Sequence, residues 1–429
     1  MTATHRYVLP LILFAASCGS EPAGDDGPAP STEVRSTLAR NQNPNATPAD
    51  LKALVEGNHR LTYDLFSTTA QEGENFTVST LSIRTAFALV YAGAKGQTET
   101  EMADVLYFDP NQSAFHDAMN ALDLALASRA LAADPAQSLE AVELSQANAF
   151  WGQVGYPWES AYLDTLAINY GAGIEALDFQ ESPEPSRLTI NDWVEGRTKD
   201  RIKDLLPAGS IKPDTVAVLT NALYFKAPWA APFEPSLTGP DSFGLEGGSS
   251  VSVDFMRGME DMSYATGSGW SAVEIPFRGR ELSMVFIVPD AQTFGSFEQA
   301  LDASTLTSIV AALQPGLVEL ALPKFEFETS FTLKQALKDL GMPTPFSADA
   351  DLSGMMSRGG LFIDEAFHKT FVAIDEKGAE AAAATAIVVG ETSLPVPDLQ
   401  LKIDRPFFFM IRDRLTDTWL FFGRVLDPS

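Results

Sequence analysis

Apolar residues recur along the chain with two spacings, which predict helices in its first third and strands in much of the remainder. The helical spacing of three and four residues is found in a stripe formed by Leu51, Leu54, Val55, Leu61, Leu65 and Phe66. Further helices are predicted over residues 82–93, 97–106 and 113–131. Short apolar or alternating runs predict strands over residues 216–225, 271–275, 282–288, 317–322, 371–374 and 407–412, with a turn at 414–418.

These patterns run without an internal repeat or a break in composition from residue 49 to residue 429. Hydrophobic residues make up 45% of the 429 residues, which is enough for a large buried core. We therefore expect one α+β domain over residues 49–429.

The first 17 residues have the pattern of a signal peptide. Arg6 precedes an apolar run over residues 8–16, which is shorter than the ~20 residues that a membrane-spanning helix needs. The run ends in Ala-Ala-Ser-Cys18, which resembles a bacterial lipobox, although Ala15 stands where such boxes usually have Leu. The resemblance implies an exported lipoprotein anchored through Cys18, and Gly19 in place of Asp implies outer-membrane sorting in a Gram-negative cell. The alternative is an ordinary signal peptide that is cut nearby and releases an extracellular protein.

Residues 18–48 form the next segment, which consists mostly of Gly, Pro, Ser, Thr, Asn and Asp. Such a segment buries too little apolar surface to offset the conformational entropy of ordering it. We therefore expect a flexible tether between the lipidated cysteine and the domain.

Charge and candidate chemistry exclude several classes of function. The net charge is −28, so nucleic acid and anionic polysaccharide are poor partners. Cys18 is the only cysteine, so no intrachain disulfide can form. No metal-ligand spacing, GxSxG, P-loop or GxGxxG motif is present, and none of the four histidines pairs with another: His5, His59, His116 and His368. We therefore expect no metal ion, no cofactor and no enzymatic activity.

The most unusual segment is the alanine-rich stretch that follows Ile374. Residues 380–386 could form a short helix or a linker, but residues 387–389 favour a strand, and Gly390, Pro395 and Pro397 exclude a continuing helix. Read as a strand, the segment has one small or apolar face without charge, formed by Ala379, Ala381, Ala383, Thr385, Ile387 and Val389. The opposite face carries Glu380, Ala382, Ala384, Ala386 and Val388. A segment that can be an exposed loop or a buried strand is a two-state element, with Gly378 as its hinge.

This stretch, Glu376-Lys-Gly-Ala-Glu-Ala-Ala-Ala-Ala-Thr-Ala, resembles the reactive-loop hinge of inhibitory serpins. Other segments resemble the same family in the same order: Asn75-Phe-Thr-Val-Ser-Thr-Leu-Ser-Ile, Gly93-Ala-Lys-Gly-Gln-Thr, Leu219-Thr-Asn-Ala-Leu-Tyr-Phe-Lys-Ala-Pro-Trp, Glu274-Ile-Pro-Phe, Glu281-Leu-Ser-Met-Val-Phe-Ile-Val-Pro, Leu322-Pro-Lys-Phe and Asp404-Arg-Pro-Phe-Phe-Phe-Met-Ile-Arg-Asp. The resemblance implies the serpin fold, a single domain with three β-sheets and eight or nine helices, and an exposed reactive loop near the C-terminus.

The resemblance also implies suicide inhibition of a serine protease by a monomeric protein. The protease attacks the bait bond and forms an acyl-enzyme, and the freed loop inserts as a new strand of the large sheet, which distorts the attached protease. The energy comes from a metastable native state held by a kinetic barrier. The rival interpretations are a non-inhibitory serpin and a surface lipoprotein that captures a small ligand.

The resemblance assigns roles to particular residues of this chain. A hydrogen-bonded shutter is expected from Ser82, Asn221 and His368, and Trp229 with Phe233 is expected at the breach where insertion begins. The hinge comprises Glu376, Lys377, Gly378, Ala379, Glu380, Ala381, Ala382, Ala383 and Ala384. Two residues depart from the family pattern: Thr80 stands where Pro is usual, and Ala379 stands where Thr is usual.

The position of the bait bond follows from counting along the loop from Gly378, as in inhibitory serpins. The count places the bond between Thr392 and Ser393, with Ser393–Leu394 as the alternative because this loop is slightly long. Cleavage after Leu394 is disfavoured because Pro395 follows. A small uncharged residue before the bond favours elastase-like or subtilisin-like proteases over trypsin-like ones, and cysteine proteases are a second class of target.

Overall fold

The computed structural model describes residues 27–137, 139–379 and 396–429. Within these residues the helices are α1 (Pro48–Thr69), α2 (Thr80–Tyr91), α3 (Gly96–Leu106), α4 (Gln112–Ala127), α5 (Ser160–Tyr170), α6 (Pro183–Arg197), α7 (Phe294–Ala300), α8 (Ala303–Ala311) and α9 (Leu333–Asp339). Short 3₁₀ turns cover Pro135–Gln137, Pro235–Leu237 and Thr344–Phe346.

The strands are β1 (Thr32–Val34), β2 (Phe76–Val78), β3 (Glu143–Gln146), β4 (Ala149–Gln153), β5 (Ile174–Leu177), β6 (Ala217–Pro228), β7 (Gly239–Gly244), β8 (Ser250–Gly267), β9 (Trp270–Pro276), β10 (Leu282–Pro289), β11 (Gln314–Pro323), β12 (Phe325–Thr332), β13 (Ala366–Asp375), β14 (Gly378–Ala379), β15 (Leu399–Lys402), β16 (Phe407–Asp413) and β17 (Trp419–Val425). All the helices and strands predicted from apolar spacing are present, with ends that shift by a few residues. The predicted strand over 371–374 is longer, since β13 begins at Ala366.

Local sequence explains where the first two helices begin. The Thr47 hydroxyl accepts a hydrogen bond from the backbone of Asp50, whose carboxylate in turn accepts one from the Thr47 backbone. This capping box, together with Pro48 in the first turn, fixes the start of α1. The Ser79 hydroxyl caps α2 in the same way, by accepting from the backbone of Ser82. Capping at Ser79 therefore holds Ser82 at the first turn of α2, next to the central sheet.

The first sheet is the one that positions the candidate site. Its strand order is β1-β5-β4-β6-β14-β13-β12, and β3 also pairs with β6. The two middle strands, β6 and β13, pair in parallel over residues 219–223 and 366–370, with Asn221 opposite His368. Farther along, β14 lies between them and pairs antiparallel to both. The middle of this sheet is therefore closed at one end and already holds a third strand at the other.

The second sheet has nine strands in the order β15-β11-β8-β9-β10-β16-β17-β2, with β7 paired to β8. Three sheets were expected, whereas hydrogen bonding joins these strands into one. The cause is the 18-residue strand β8. It pairs with β7 over residues 250–255, with β11 over residues 255–264 and with β9 over residues 263–267, so it links two groups of strands.

The main core lies between these sheets and the helices, and its aromatic side chains interlock. Phe66 of α1 contacts Phe408 and Phe422 of the second sheet edge to face, with ring centroids 6.0 and 5.1 Å apart. No helix among the described residues is long and apolar enough to span a bilayer.

The described part of residues 18–48 differs from the expected flexible tether. Residues 32–34 form β1 and pair antiparallel with residues 174–176 of β5. The backbone of Asn41 also donates to the Ile168 carbonyl at 2.8 Å. The prediction counted apolar side chains, whereas this segment is held by backbone and polar side-chain hydrogen bonds.

Candidate functional site

His368 and Asn221 meet at the closed end of the first sheet, across the boundary between β13 and β6. The Nδ1 atom of His368 is hydrogen-bonded to Oδ1 of Asn221, and Nε2 accepts from the backbone N–H of Ser79 at 3.2 Å. Since a backbone N–H can only donate, Nδ1 carries the imidazole proton and donates it to Asn221. His368 is fully buried, and burial lowers its pKa to about 3, so the ring is neutral at physiological pH.

Ser82 joins the same cluster, together with a residue that the sequence analysis missed. The Nδ2 group of Asn221 donates to Ser82 Oγ at 2.6 Å and to Asn148 Oδ1 at 2.7 Å. Ser82 Oγ also donates to Asn148 Oδ1 at 3.0 Å. The only sign of Asn148 in the sequence was an amide residue between Ala147 and the residues that form the buried strand β4. We call these four residues the gate cluster: Ser82, Asn148, Asn221 and His368.

Neighbouring side chains exclude water from the gate cluster and hold it in place. The Phe331 ring packs edge to face against His368, with centroids 5.3 Å apart. Thr80, which stands where the resemblance leads us to expect Pro, begins α2 with its hydroxyl bonded to that of Thr62 on α1. The Thr80 backbone therefore keeps helical geometry, and its hydroxyl is satisfied in the buried interior.

Two of the predicted hinge residues lie inside the first sheet. Gly378 and Ala379 form β14, with Ala379 opposite Ile374 of β13 and Ala227 of β6. Gly378 has φ of +148°, and a Cβ there would lie 2.2 Å from the Ala227 carbonyl oxygen. Ala379 is 3% exposed, so only a small side chain fits. The space between the two strands therefore accommodates glycine followed by alanine.

The turn formed by the first two hinge residues, Glu376 and Lys377, is held by Asp375 and Trp229. The Asp375 carboxylate accepts from the backbone of Lys377 at 2.8 Å and of Gly378 at 3.2 Å. Trp229 Nε1 donates to the Asp375 carbonyl at 3.0 Å, and the indole stacks on Phe277 at 4.6 Å. Trp229 therefore lies where β14 begins, and its expected role at the breach stays a prediction.

Glu376 ties this turn to the neighbouring strands. Its carboxylate lies 3.0 Å from Lys324 Nζ, and its carbonyl accepts from the Phe233 backbone at 2.8 Å. Burial alone would raise the pKa of Glu376, but hydrogen bonds from its own backbone and from Lys324 outweigh burial and lower it. The residues on either side of the hinge turn are therefore fixed, and the carboxylate stays ionised.

Several predicted residues lie outside the described residues. These are Cys18, the hinge residues Glu380, Ala381, Ala382, Ala383 and Ala384, and the bait residues Thr392, Ser393 and Leu394. The chain is described again from Val396, which is 89% exposed, and continues into β15 of the second sheet. The intervening segment thus connects the first sheet to the second.

The two other histidines among the described residues take part in packing and hydrogen bonding. His59 stacks on Trp419 at 3.9 Å, and His116 Nδ1 bonds the Tyr170 hydroxyl at 2.6 Å. Over residues 27–137, 139–379 and 396–429, no three His, Cys, Asp or Glu side chains are grouped as metal ligands.

Comparison with known proteins gives a consistent result. The family described as Serpin (serine protease inhibitor) matches residues 56–428. Human Serpin B4 is 35% identical over 390 residues, which cover 88% of this chain and all of that protein. Among solved structures, the thermophilic serpin Tengpin in the native state has a TM-score of 0.79 at 26% identity, covering 92% of this chain and 99% of that one. Human thyroxine-binding globulin in complex with thyroxine has a TM-score of 0.77 at 28% identity, covering 89% of this chain and 100% of that one.

Proposed function

We propose that this chain, which belongs to the serpin family, inhibits serine proteases by inserting its own cleaved loop into its first sheet. The observation that carries the proposal is β14, because the hinge already pairs with both β6 and β13. The residues that follow Ala379 on the same strand face are small or apolar and uncharged. A strand of this composition can extend β14 without burying a charge.

The register of β14 defines what insertion would do. If the strand continues with the same pairing, Thr385 comes to lie between Asn221 and His368. Residues 383–387 would then replace the direct pairing of residues 219–223 with 366–370. The gate cluster is therefore the barrier to insertion, since its central hydrogen bond must break before the strand can pass. The new ladder on both sides of the inserted strand supplies the driving force.

Protease specificity would be set by the bait bond, Thr392–Ser393 or its neighbour Ser393–Leu394. Small uncharged side chains suit the specificity pockets of elastase-like and subtilisin-like enzymes, whereas trypsin-like enzymes need Lys or Arg. The proposed sequence of events is acylation of the protease, insertion of the loop, and trapping of the acyl-enzyme before water can hydrolyse it.

The test is incubation of the full chain with elastase or subtilisin, followed by denaturing electrophoresis. A covalent complex that survives the detergent is expected. The Ala379→Arg variant should be cleaved without forming a complex, because the introduced guanidinium would bury a charge at a site that is 3% exposed. Glu380→Arg is the matched control, because it alters charge on the opposite face and should still form the complex.

Two outcomes would contradict the proposal. Cleavage without any complex, with every protease tried, would refute inhibition. Equal complex formation by the two variants would refute the assignment of the inward face.

The alternative is a non-inhibitory member that holds a small ligand, which the similarity to thyroxine-binding globulin favours. The two functions are separated by the melting temperature of the loop-cleaved chain. A large rise on cleavage indicates insertion, and an unchanged value favours the ligand-binding alternative.

We further propose export and anchoring of the chain through a diacylated Cys18, with the membrane contacted only by this lipid. The support is the apolar run over residues 8–16 and the small residues before the cysteine. Mass spectrometry of the native N-terminus tests it. A lipidated cysteine is expected, and an unmodified N-terminus near this position would indicate release.

A further inference from the structure

Residues 27–47, which we call the N-terminal strap, pack against α6, β5 and α4 of the domain. The Ala29 backbone donates to the Pro185 carbonyl of α6 at 3.2 Å, and β1 pairs with β5. At Gly173, a Cβ would lie 2.7 Å from the Val34 carbonyl oxygen and 2.6 Å from Arg35 Cβ. Glycine at 173 therefore leaves the room that the strap occupies.

Arg40 is the side chain by which the strap contacts α4. Its Nε donates to Asn120 Oδ1 at 2.9 Å, and its Nη2 donates to Asp123 Oδ2 at 2.7 Å. Asn120 is fully buried and donates back to the Asn41 carbonyl of the strap at 2.8 Å. The Arg40 and Asp123 side chains are 21% and 36% exposed, so this ion pair is partly shielded from water.

From Asp123 a line of side-chain hydrogen bonds leads to the gate cluster. The second carboxylate oxygen of Asp123 accepts from Gln146 Nε2 at 3.2 Å. Gln146 Oε1 accepts from Asn148 Nδ2 at 2.8 Å, and Asn148 Oδ1 accepts from Asn221. Asn221 Oδ1 then accepts from His368. The strap and the gate cluster are thus joined by an unbroken series of bonds.

Every bond in this series has the same donor-to-acceptor direction, and both ends require it. A carboxylate can only accept, so Asp123 turns the Gln146 amide group toward itself and the Gln146 oxygen toward Asn148. The same constraint passes to Asn148 and Asn221. At the far end, the Ser79 N–H can only donate to His368 Nε2, which leaves the proton on Nδ1. The orientations of the Gln146, Asn148 and Asn221 amides and the tautomer of His368 therefore depend on one another.

We propose that Arg40 is a positioning residue for the gate cluster: it holds Asp123 in the orientation that orders Gln146, Asn148 and Asn221 toward His368. The role of the cluster as the barrier rests on the proposed function. Without Arg40, the Asp123 carboxylate turns to water, Gln146 loses its fixed acceptor, and the Asn221–His368 bond becomes easier to break. The strap thereby slows the opening of β6 from β13.

The test measures uptake of a synthetic peptide with the sequence of residues 380–389 by the intact full chain, whose own Ala379 fills the preceding position of the strand. Bound peptide is followed over time by native mass spectrometry. Arg40→Ala should accelerate uptake about threefold to tenfold, as expected for a partly shielded ion pair. Arg40→Lys should restore the wild-type rate, because the ammonium also pairs with Asp123. Asp123→Asn should accelerate uptake like Arg40→Ala, because an amide can turn its NH₂ toward Gln146 and reverse the order.

Arg35→Ala is the matched control, because Arg35 is a strap cation whose exposed pair with Glu33 has no connection to Gln146. It should leave the rate unchanged, whereas a merely structural role of the strap would make both alanine variants act alike. Equal rates for wild type and Arg40→Ala, equal acceleration by Arg35→Ala, or no restoration by lysine would each overturn the positioning role. Because uptake needs no protease, a chain that takes up peptide but traps no protease would refute only the proposed inhibition.

Discussion

The Asn221→Ala substitution should destabilise the intact chain much more than the loop-cleaved chain. In the intact chain, Asn221 accepts one hydrogen bond from His368 and donates to Ser82 and Asn148, all in the buried interior. In the proposed inserted form, continuation of the β14 register would place Thr385 between Asn221 and His368, so that bond would already be broken. The substitution therefore removes an interaction that only the intact form makes.

The magnitude follows from the number of bonds and from what is left behind. A net hydrogen bond contributes about 1 kcal/mol, and an unsatisfied buried donor costs about 1–3 kcal/mol. Loss of Asn221 leaves the Nδ1 proton of His368 without its acceptor in a site of no solvent exposure. We expect a loss of about 3–5 kcal/mol in the intact form, against about 1–2 kcal/mol after cleavage, where only the bonds to Ser82 and Asn148 are affected.

The assay compares denaturant midpoints of the intact and cleaved chains for wild type and variant. Asn191→Ala is the control, because Asn191 also makes two buried hydrogen bonds, both to the backbone of Leu206 and far from the gate cluster. It should lower both midpoints by similar amounts. If Asn221→Ala also lowered both midpoints equally, the argument that the gate cluster resists insertion would be refuted.

Two further predictions concern the hinge and pH. Gly378→Ala should expel β14 from the sheet, because the alanine Cβ would lie 2.2 Å from the Ala227 carbonyl oxygen and φ at this position is +148°. Faster hydrogen exchange at the Ala379 amide is expected. Unchanged exchange would refute the tight fit. Burial lowers the pKa of His368 and His116 to about 3, from a usual value near 6.5. Each stays neutral when folded and takes up a proton when unfolded, so stability is full above pH 6.5 and falls by about 1.4 kcal/mol per pH unit per histidine below it. Urea unfolding of wild type and His116→Gln at pH 7 and 5 tests this, because the variant should lose less stability on acidification.

The elements that could be predicted are those whose apolar residues define a face. Helix α1 and the buried strands β6 and β10 were predicted correctly because each packs one or both of its faces against the core. Those faces show in the sequence as regularly spaced or continuous apolar residues. Helix α6 was missed because its sequence is mostly polar, with Pro183 and Pro185 in its first turn. Strand β1 was missed because backbone pairing with β5 holds it, and side-chain patterns do not record a backbone partner.

The candidate site was predictable only in part for a related reason. Ser82, Asn221 and His368 lie far apart in sequence, and no spacing rule joins them; the family resemblance did. Asn148 and Arg40 belong to no quoted motif, and their roles depend on hydrogen bonds that exist only once α4 and the first sheet are packed together. The pairing of Gly378 and Ala379 inside the sheet was likewise outside what periodicity could show.

Docking of β1 also bears on how the molecules behave at high local concentration. An open strand edge is a template on which another chain can pair and aggregate. Here β1 covers the β5 edge with a strand of only three residues, and β12, the opposite edge strand of the described residues, has the exposed carboxylate of Glu326. A short edge on one side and an acidic side chain on the other both disfavour edge-to-edge association, so the sheet that we propose to accept one more strand from its own chain is protected from strands of its neighbours.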